Sequence, residues 1–537
     1  MTTATVLLAS VADPSGRPAA LLPATAGGAG RVVERLATVA ARHGPVTVLA
    51  RPAGVEPLRE ALASVDGPGD VEVVAIEGAA ATWRWLAQQR PPDGAAVVVG
   101  YAHLAADEVA LTSLLDDAAG GTAVLAEPAG APAPEETVGH VAGCPALRSV
   151  RGRLVAASSD VHTVTGATER AVGLLRIGAG DVAAAQVHAR TLADAVEAGA
   201  IPDDADPLAG SLVALIRDGH PVRPVLVPRR GYARLVTTSS QAIEAGRRLD
   251  GLDLDRVRLD ASVKREDGFF TTFLVSSYSP YLARTAARVG LTPDAVTVLS
   301  MALGVGAAAG FAHGSFAGLL LGAVLLQVAF TLDCVDGQLA RYTRRFSTRG
   351  AWLDSVFDRG KEYVVLAGLA AGGVAAGETA PLWLLAGVAL ALQTVRHTLD
   401  LGYEAQQTTD VERTVRRPLL APADGGPGFW EAVPDAGAAS ADAPTRTADA
   451  VGPDHGGSST GARGLARRVI VALRRAEGVP VLKWAKRIVV LPIGERFALI
   501  SIVAVVAGPT AVFVALLVWG GLATAYTFTG RLVRSLA

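Results

Sequence analysis

Residues 332–363 read LDCVDGQLARYTRRFSTRGAWLDSVFDRGKEY. Asp333 and Asp336 are three apart and Asp354 and Asp358 are four apart, so at 3.6 residues per turn each pair projects from one face of its own helix. Apolar runs flank the stretch, Phe316 to Phe330 before it and Val364 to Ala376 after it. The acidic pairs therefore sit where two candidate membrane helices meet the polar boundary. Two carboxylate pairs on adjacent helices there repel each other and are poorly solvated unless something neutralises them. Divalent cations do so. Magnesium prefers carboxylate oxygens together with substrate phosphates, and two such ions can clamp a phosphoryl group between attacking and leaving oxygens. Gly337 and Gly350 remove side chains where a nucleotide or a neighbouring helix must come close, Ala340 does so less completely, and Arg341 offers a forked donor to a phosphate. A solvated helix end beside basic residues would explain one pair alone. It does not explain four aspartates, two glycines, an alanine and an arginine in fixed register.

Working outward, Ala295 to His313 and Leu382 to Val395 are further apolar segments, and Phe497 to Thr529 carries no charge. A bilayer core of ~30 Å needs about 20 helical residues. The second and third segments reach that length only by taking in the charged residues 331–340 and 351–363. The last stretch is too long for one ordinary span; it breaks at Gly508-Pro509 and, extended back to about Ile488, makes two. Six transmembrane helices are predicted. Arg341, Arg344, Arg345 and Arg349 follow the second, Arg413, Arg416, Lys483, Lys486 and Arg487 lie between the fourth and fifth, and Arg531 and Arg534 follow the sixth. The opposite connections, at His313-Gly314, Gly377-Glu378 and Gly508-Pro509, carry no lysine or arginine. The positive-inside rule then puts both termini and the acidic stretch on the cytoplasmic side of a multi-pass cell-membrane protein. Residues 291–404 form the core with helices one to four, 405–480 a disordered cytoplasmic insertion rich in Ala, Gly, Pro and Asp, and 481–537 helices five and six.

Upstream the texture differs. Half of the 537 residues are hydrophobic and 19% are charged, with mean hydropathy +0.35, yet residues 1–249 contain no span. Short apolar runs at Val6 to Ala9, Val46 to Ala50, Val71 to Ile76, Ala95 to Gly100 and Thr122 to Ala126 alternate with helical stretches, predicting an α/β domain with a parallel, helix-covered sheet. No basic residue precedes the first short apolar run, so it does not read as a signal peptide. Residues 250–290 form a linker, in which Ser277 to Val289 is an interfacial amphipathic helix with Arg284 and Arg288 on its wet side. With 49 basic and 51 acidic residues there is no global pull toward nucleic acid. Cys144 and Cys334, the two cysteines, lie far apart in sequence, and the expectation is neither a disulfide scaffold nor a zinc cluster.

From Asp333 to Asp358 the chain resembles the CDP-alcohol phosphotransferases, whose signature D-x2-D-G-x2-A-R-x8-G-x3-D-x3-D is filled at every fixed position. The resemblance implies six transmembrane helices holding a two-metal Mg²⁺ site (Mn²⁺ being the alternative ion), where an acceptor hydroxyl attacks the β-phosphorus of a CDP-linked donor such as CDP-diacylglycerol and CMP leaves. It implies Asp333, Asp336 and Asp354 as metal ligands, and Asp358 as ligand of the second ion and general base. Gly337, Ala340, Arg341 and Gly350 would line the nucleotide and diphosphate site. Leu291 to Thr297 resembles the family's entry to the first span, with Asp294 where Asn is usual; Thr297 joins the donor site on that basis, while Pro293 also reads simply as a helix start. Gly494-Glu495-Arg496 resembles a polar motif opening the fifth span, and an intramembrane salt pair accounts for it equally. Arg344, Arg359 and Lys361 are acceptor-binding candidates, with Arg345 and Arg396 nearby; positive-inside anchoring is the competing account.

The first domain bears a fainter likeness to sugar-phosphate nucleotidyltransferases. Ala20 to Ala24 followed by Gly27-Gly28-Ala29-Gly30-Arg31 resembles their opening loop, and Arg230 to Leu249 their closing strand and helix. Where that family ends a strand in Gly-Asp to hold magnesium, this chain has Gly100-Tyr101, and no lysine occurs before Lys264. The domain order and the junction Lys264 to Phe270 resemble bifunctional inositol-phosphate cytidylyltransferase/di-inositol-phosphate-phosphate synthases with a degenerate first half. The reading is a membrane transferase of phospholipid synthesis acting on an alcohol or polyol-phosphate acceptor, expected as a homodimer. Soluble polyol-phosphate synthesis and a non-catalytic membrane scaffold are the alternatives.

Overall fold

The structure is a computed structural model, and it describes residues 3–25, 30–65, 70–92, 94–116, 120–130, 137–138, 143–160, 162–264, 267–415 and 480–536. Most of the Gly-rich opening loop, the centre of the Lys264 to Phe270 junction and most of the expected insertion lie outside these residues. The chain divides into two units, one built on Met1–Val257 and one on Arg258–Gln406 with the C-terminal helices.

In the first unit, β1 (Thr3–Ala9), α1 (Val32–Ala41), β2 (Val46–Ala50), α2 (Val55–Leu62), β3 (Val71–Ala75), α3 (Gly78–Gln88) and β4 (Ala96–Tyr101) alternate as the sequence predicts. Then come β5 (Leu104–Ala106), α4 (Glu108–Leu115), β6 (Thr122–Pro128), β7 (Thr137–Val138), β8 (Ala146–Val150), β9 (Arg153–Ala157), β10 (Val164–Thr165) and β11 (Glu169–Ile177). The unit closes with α5 (Val182–Glu197), α6 (Pro207–Arg217), β12 (Val222–Leu226), β13 (Ala233–Leu235) and α7 (Ser239–Asp250). The main sheet runs β12-β6-β11-β4-β1-β2-β3. It is mixed, not parallel as expected, because β11 pairs antiparallel with both β4 and β6. A helix crossover would have made β11 parallel; here it is reached through the β8–β9 hairpin. Its sequence gives no warning, since Ala171 to Ile177 are buried whichever way the strand runs. Apolar clusters form on both faces, one around Leu7, Val48 and Leu125, the other around Leu8, Val99 and Leu212. Helix α7 packs so tightly on the opening loop that a Cβ at Gly246 would stand 1.8 Å from the Ala24 carbonyl oxygen.

The second unit is helical: α8 (Leu254–Ser262), α9 (Phe269–Phe273), α10 (Ser279–Arg288), α11 (Pro293–Ala312), α12 (Phe316–Thr343), α13 (Thr348–Ala375), α14 (Leu382–Val415), α15 (Pro480–Val490) and α16 (Ile493–Leu536). Thr292, Ser315 and Ser347 cap α11, α12 and α13, each hydroxyl accepting from a backbone N–H in the first turn. Small residues let these helices touch: a Cβ at Gly372 would stand 1.9 Å from the Phe311 carbonyl oxygen, and one at Gly368 2.3 Å from that of Ala308. Among the described residues, four helices are long and apolar enough to cross a membrane: α11, α12, the first part of α14 (Leu382–Leu399) and α16 (Ile493–Arg531). Helix α13 spends its first turns on charged residues, and α16 is one assigned element interrupted at Gly508, whose φ of 81° and ψ of 174° break it before Pro509. Helix α14 runs to Val415, and α15 is separated from α16 by Leu491, at φ 53°, and Pro492. Helix α10 forms where the interfacial helix is expected, and its Ala283 and Ala286 pack with Val296, Val335 and Leu339.

Candidate active site

The acidic centre is built where α12 ends and α13 begins. One carboxylate oxygen from each of Asp333, Asp336 and Asp354 lies within 4.8 Å of the other two. Asp336 is buried, and its Oδ2 accepts a hydrogen bond of 2.6 Å from Thr297 Oγ1 on α11. Helix α13 delivers Asp354 because Ser347 caps its start, accepting from Gly350 N at 2.7 Å. A Cβ at Gly350 would stand 2.5 Å from Asp294 Oδ1 and 2.7 Å from Ser347 Oγ, so the glycine lets the cap and the start of α11 meet. Gly337 faces the Arg341 guanidinium, 3.4 Å from where its Cβ would be. Arg341 Nε donates to the Ser262 carbonyl, and Ala340 is half-buried beside it.

Lys361 is placed differently from expectation. It is fully buried, with Nζ donating to Asp333 Oδ1 and, at 3.1 Å, to Ser300 Oγ, and lying 3.1 Å from Asp358 Oδ1. Its ammonium is an internal counter-charge to Asp333 and Asp358. Gly304 makes its position attainable, since a Cβ there would stand 2.8 Å from Lys361 Cγ. Asp358 thus lies on the lysine side of the centre, outside the three-carboxylate group. Of the other acceptor candidates, Arg344 ends α12 in the left-handed conformation, and Arg359 Nη1 donates to the Ser355 carbonyl of its own helix at 2.6 Å. Ser300 and Gly304 went unnoticed in sequence, although Thr297, Ser300 and Gly304 share one helical face.

A second polar cluster joins α13, α14 and α16. Buried Glu362 Oε1 lies 2.5 Å from Arg496 Nη2, and the Gln393 amide, turned so that its oxygen faces the guanidinium, accepts from Arg496 Nε at 2.9 Å. Glu495 faces elsewhere, its Oε1 accepting from Phe270 N at 3.2 Å at the start of α9. The Gly-Glu-Arg motif is thus divided between a salt pair and a helix cap.

At the end of β4, the Tyr101 hydroxyl donates to Asp206 Oδ1 at 2.5 Å. Burial, then the Asp206 charge, hold that hydroxyl's pKa well above its usual value. Asp206 also accepts from Gly143 N at 2.7 Å and from Leu208 N and Ala209 N at 2.9 and 3.0 Å. Leu235 crowds Gly143 and Gly173, standing 2.5 and 2.8 Å from where their Cβ atoms would be. Burial lowers the pKa of neighbouring His103 to about 4 and raises that of the Cys144 thiol to about 11. Tyr101 at the end of β4 is thus buried and committed to Asp206.

Residues 290–412 match the family model of the CDP-alcohol phosphatidyltransferases, and the chain carries a domain of that transferase family in its C-terminal region. The matched residues contain the whole acidic centre. Among curated proteins, the chain is 33% identical over 104 residues to the archaetidylinositol phosphate synthase of Methanothermobacter thermautotrophicus, covering 19% of this chain and 52% of that one. It is 42% identical over 108 residues to the bifunctional IPC transferase and DIPP synthase of Aquifex aeolicus, covering 19% and 23%. The chain thus spans about half, or less, of the length of these relatives. Among solved structures, the inositol-1-phosphate CTP transferase of T. maritima aligns with 10% identity and a TM-score of 0.32, over 47% of this chain and 97% of that one.

Proposed function

We propose that this chain is a membrane-embedded transferase that moves a phosphatidyl or other substituted phosphate group from a CDP-alcohol to an alcohol acceptor, with CMP as the leaving group. The observation that carries the reading is the convergence of Asp333, Asp336 and Asp354 inside the family-matched segment. Three hard oxygen donors fit Mg²⁺ or Mn²⁺. We infer two such ions, and when bound they would neutralise the donor's diphosphate and polarise its phosphorus. Asp358 takes the proton from the acceptor hydroxyl as its oxygen attacks, a role open to a carboxylate beside the reacting oxygen. Thr297 fixes the carboxylate of Asp336, and Lys361 bridges Asp333 and Asp358, offsetting their mutual repulsion. Gly337, Ala340, Arg341 and Gly350 shape the nucleotide and diphosphate pocket.

A lipid donor is favoured by an apolar groove of about 460 Å³ between α12 and α16, lined by Leu320, Val324, Val328, Ile502 and Val506 and ending at Thr331, just ahead of Asp333. A phosphorylated polyol is the acceptor class we favour, since the relatives' names include an archaetidylinositol phosphate synthase; Arg344 and Arg359 remain its candidate ligands. We read six crossings, with α13 as the third and the break at Gly508 dividing the fifth from the sixth, an active site and termini on the cytoplasmic side, and a homodimer. We keep residues 1–249 as a nucleotidyltransferase-like domain, 250–290 as a linker, 291–404 and 481–537 as the transferase, and 405–480 as an insertion. The first domain is read as non-catalytic because Tyr101 stands where the nucleotidyltransferase resemblance expects a metal-binding aspartate, and its hydroxyl is committed to Asp206.

The test is CMP release by the purified chain supplied with Mg²⁺, CDP-diacylglycerol and a panel of alcohols including inositol phosphate, glycerol phosphate and serine. Acceptor-dependent CMP release is expected; none with any acceptor or soluble CDP-alcohol would favour a scaffold. CTP-dependent pyrophosphate release would overturn the reading of the first domain.

A further inference from the structure

Away from the acidic centre, three ligand-type side chains of the first unit converge. His188 lies on α5, Asp218 caps the end of α6, and His220 sits in the turn leading to β12. His188 Nε2 is 3.0 Å from Asp218 Oδ2, and His220 Nε2 is 3.2 Å from the same oxygen. One ligand atom of each lies within 4.8 Å of the other two. The histidine side chains are only 13% and 23% exposed, so both rings are held in place. Behind His220, Nδ1 lies 2.8 Å from Asp181 Oδ1, and Asp181 Oδ2 accepts from Thr122 Oγ1.

A neutral imidazole has one N–H. With that N–H given to Asp181, the His220 Nε2 lone pair faces the Asp218 carboxylate, and His188 Nε2 faces the same oxygen. A proton on each Nε2 satisfies these contacts pairwise, whereas one metal ion accepts both imidazoles and the carboxylate together. Ligand atoms about 2.0–2.1 Å from a tetrahedral ion stand roughly 3.3 Å apart, and the two separations found lie close to that. Two nitrogens and one oxygen favour zinc-class transition metals over magnesium. Asp181 stands where a carboxylate commonly fixes the tautomer of a metal-bound histidine.

We propose that His188, Asp218 and His220 form a binding site for a zinc-class divalent ion. Asp218 is half-exposed, so the fourth position opens to water. The ion fastens α5 and the end of α6 to the start of the edge strand β12.

The test is titration of the full-length, chelator-stripped chain with Co²⁺, read by its visible absorption. Intense bands of a four-coordinate nitrogen-containing site are expected at one equivalent. They should survive Asp354→Asn, which alters the acidic centre, and vanish in a His188→Ala/His220→Ala chain. Asp181→Asn keeps the side-chain shape and all three ligands, and is expected to weaken the affinity about 10–100-fold. Absence of the bands from the wild-type chain, their survival without the histidines, or unchanged affinity in Asp181→Asn would overturn the proposal.

Discussion

Two places in this molecule are organised around aspartate, and they are built in opposite ways. Asp206 in the α/β unit is saturated: the Tyr101 hydroxyl and three backbone N–H groups point at its two oxygens. In the helical unit Asp333, Asp336 and Asp354 face one another, and Thr297 and Lys361 are the side chains that donate to the first two. A carboxylate with every lone pair committed is a structural fastener, while converging carboxylates with few donors leave oxygens for a cation. The difference lies in the donors around the acid, more than in the acid itself.

The contrast can be broken at either end. The largest effect is expected from Asp358→Asn, which removes the proposed base and should lower the turnover number for CMP release by about 10²–10⁴-fold, with little change in donor KM. Lys361→Met strands Asp333 and Asp358 without their buried partner. Removing one member of such a pair costs about 3–5 kcal/mol, so thermal unfolding should move to lower temperature, and added Mg²⁺ should recover more stability than it gives the wild type. Identical Mg²⁺ responses would mean that the lysine does not balance this centre. Tyr101→Phe leaves Asp206 one donor short, at a cost of about 1–3 kcal/mol, and should leave CMP release unchanged; an altered rate would show that the first unit takes part in turnover.

The smallest effect concerns pH. Burial lowers the pKa of His103 in the fold from 6.5 to about 4. Between those values the unfolded chain binds the proton first, so stability falls as pH drops, by about 1.4 kcal/mol per unit for this group. Equilibrium unfolding followed between pH 7 and 5 should show a slope to which buried His162, its pKa lowered to about 2, also contributes, and His103→Phe should reduce it by about 1.4 kcal/mol per unit.

What the sequence disclosed follows from the range of the interactions. The acidic register was legible because spacings of three and four residues act within one helix, whereas Thr297 was reached only through the resemblance of Leu291 to Thr297 to a family motif. Lys361 looked like a surface anchor, since its burial depends on Gly304 of another helix coming within contact distance. The direction of β11 was hidden because a strand buried on both faces reads alike parallel or antiparallel. His188, Asp218 and His220 are brought together by two helices and a turn, so no single window of sequence displays them as a group.

The most direct measurement compares acceptor-dependent CMP release by the wild-type chain and Asp354→Asn at saturating Mg²⁺ and matched folding. A loss of about 10²-fold or more is expected if that carboxylate helps hold the charge-neutralising cation against the reacting phosphate. Undiminished release by Asp354→Asn would contradict the account.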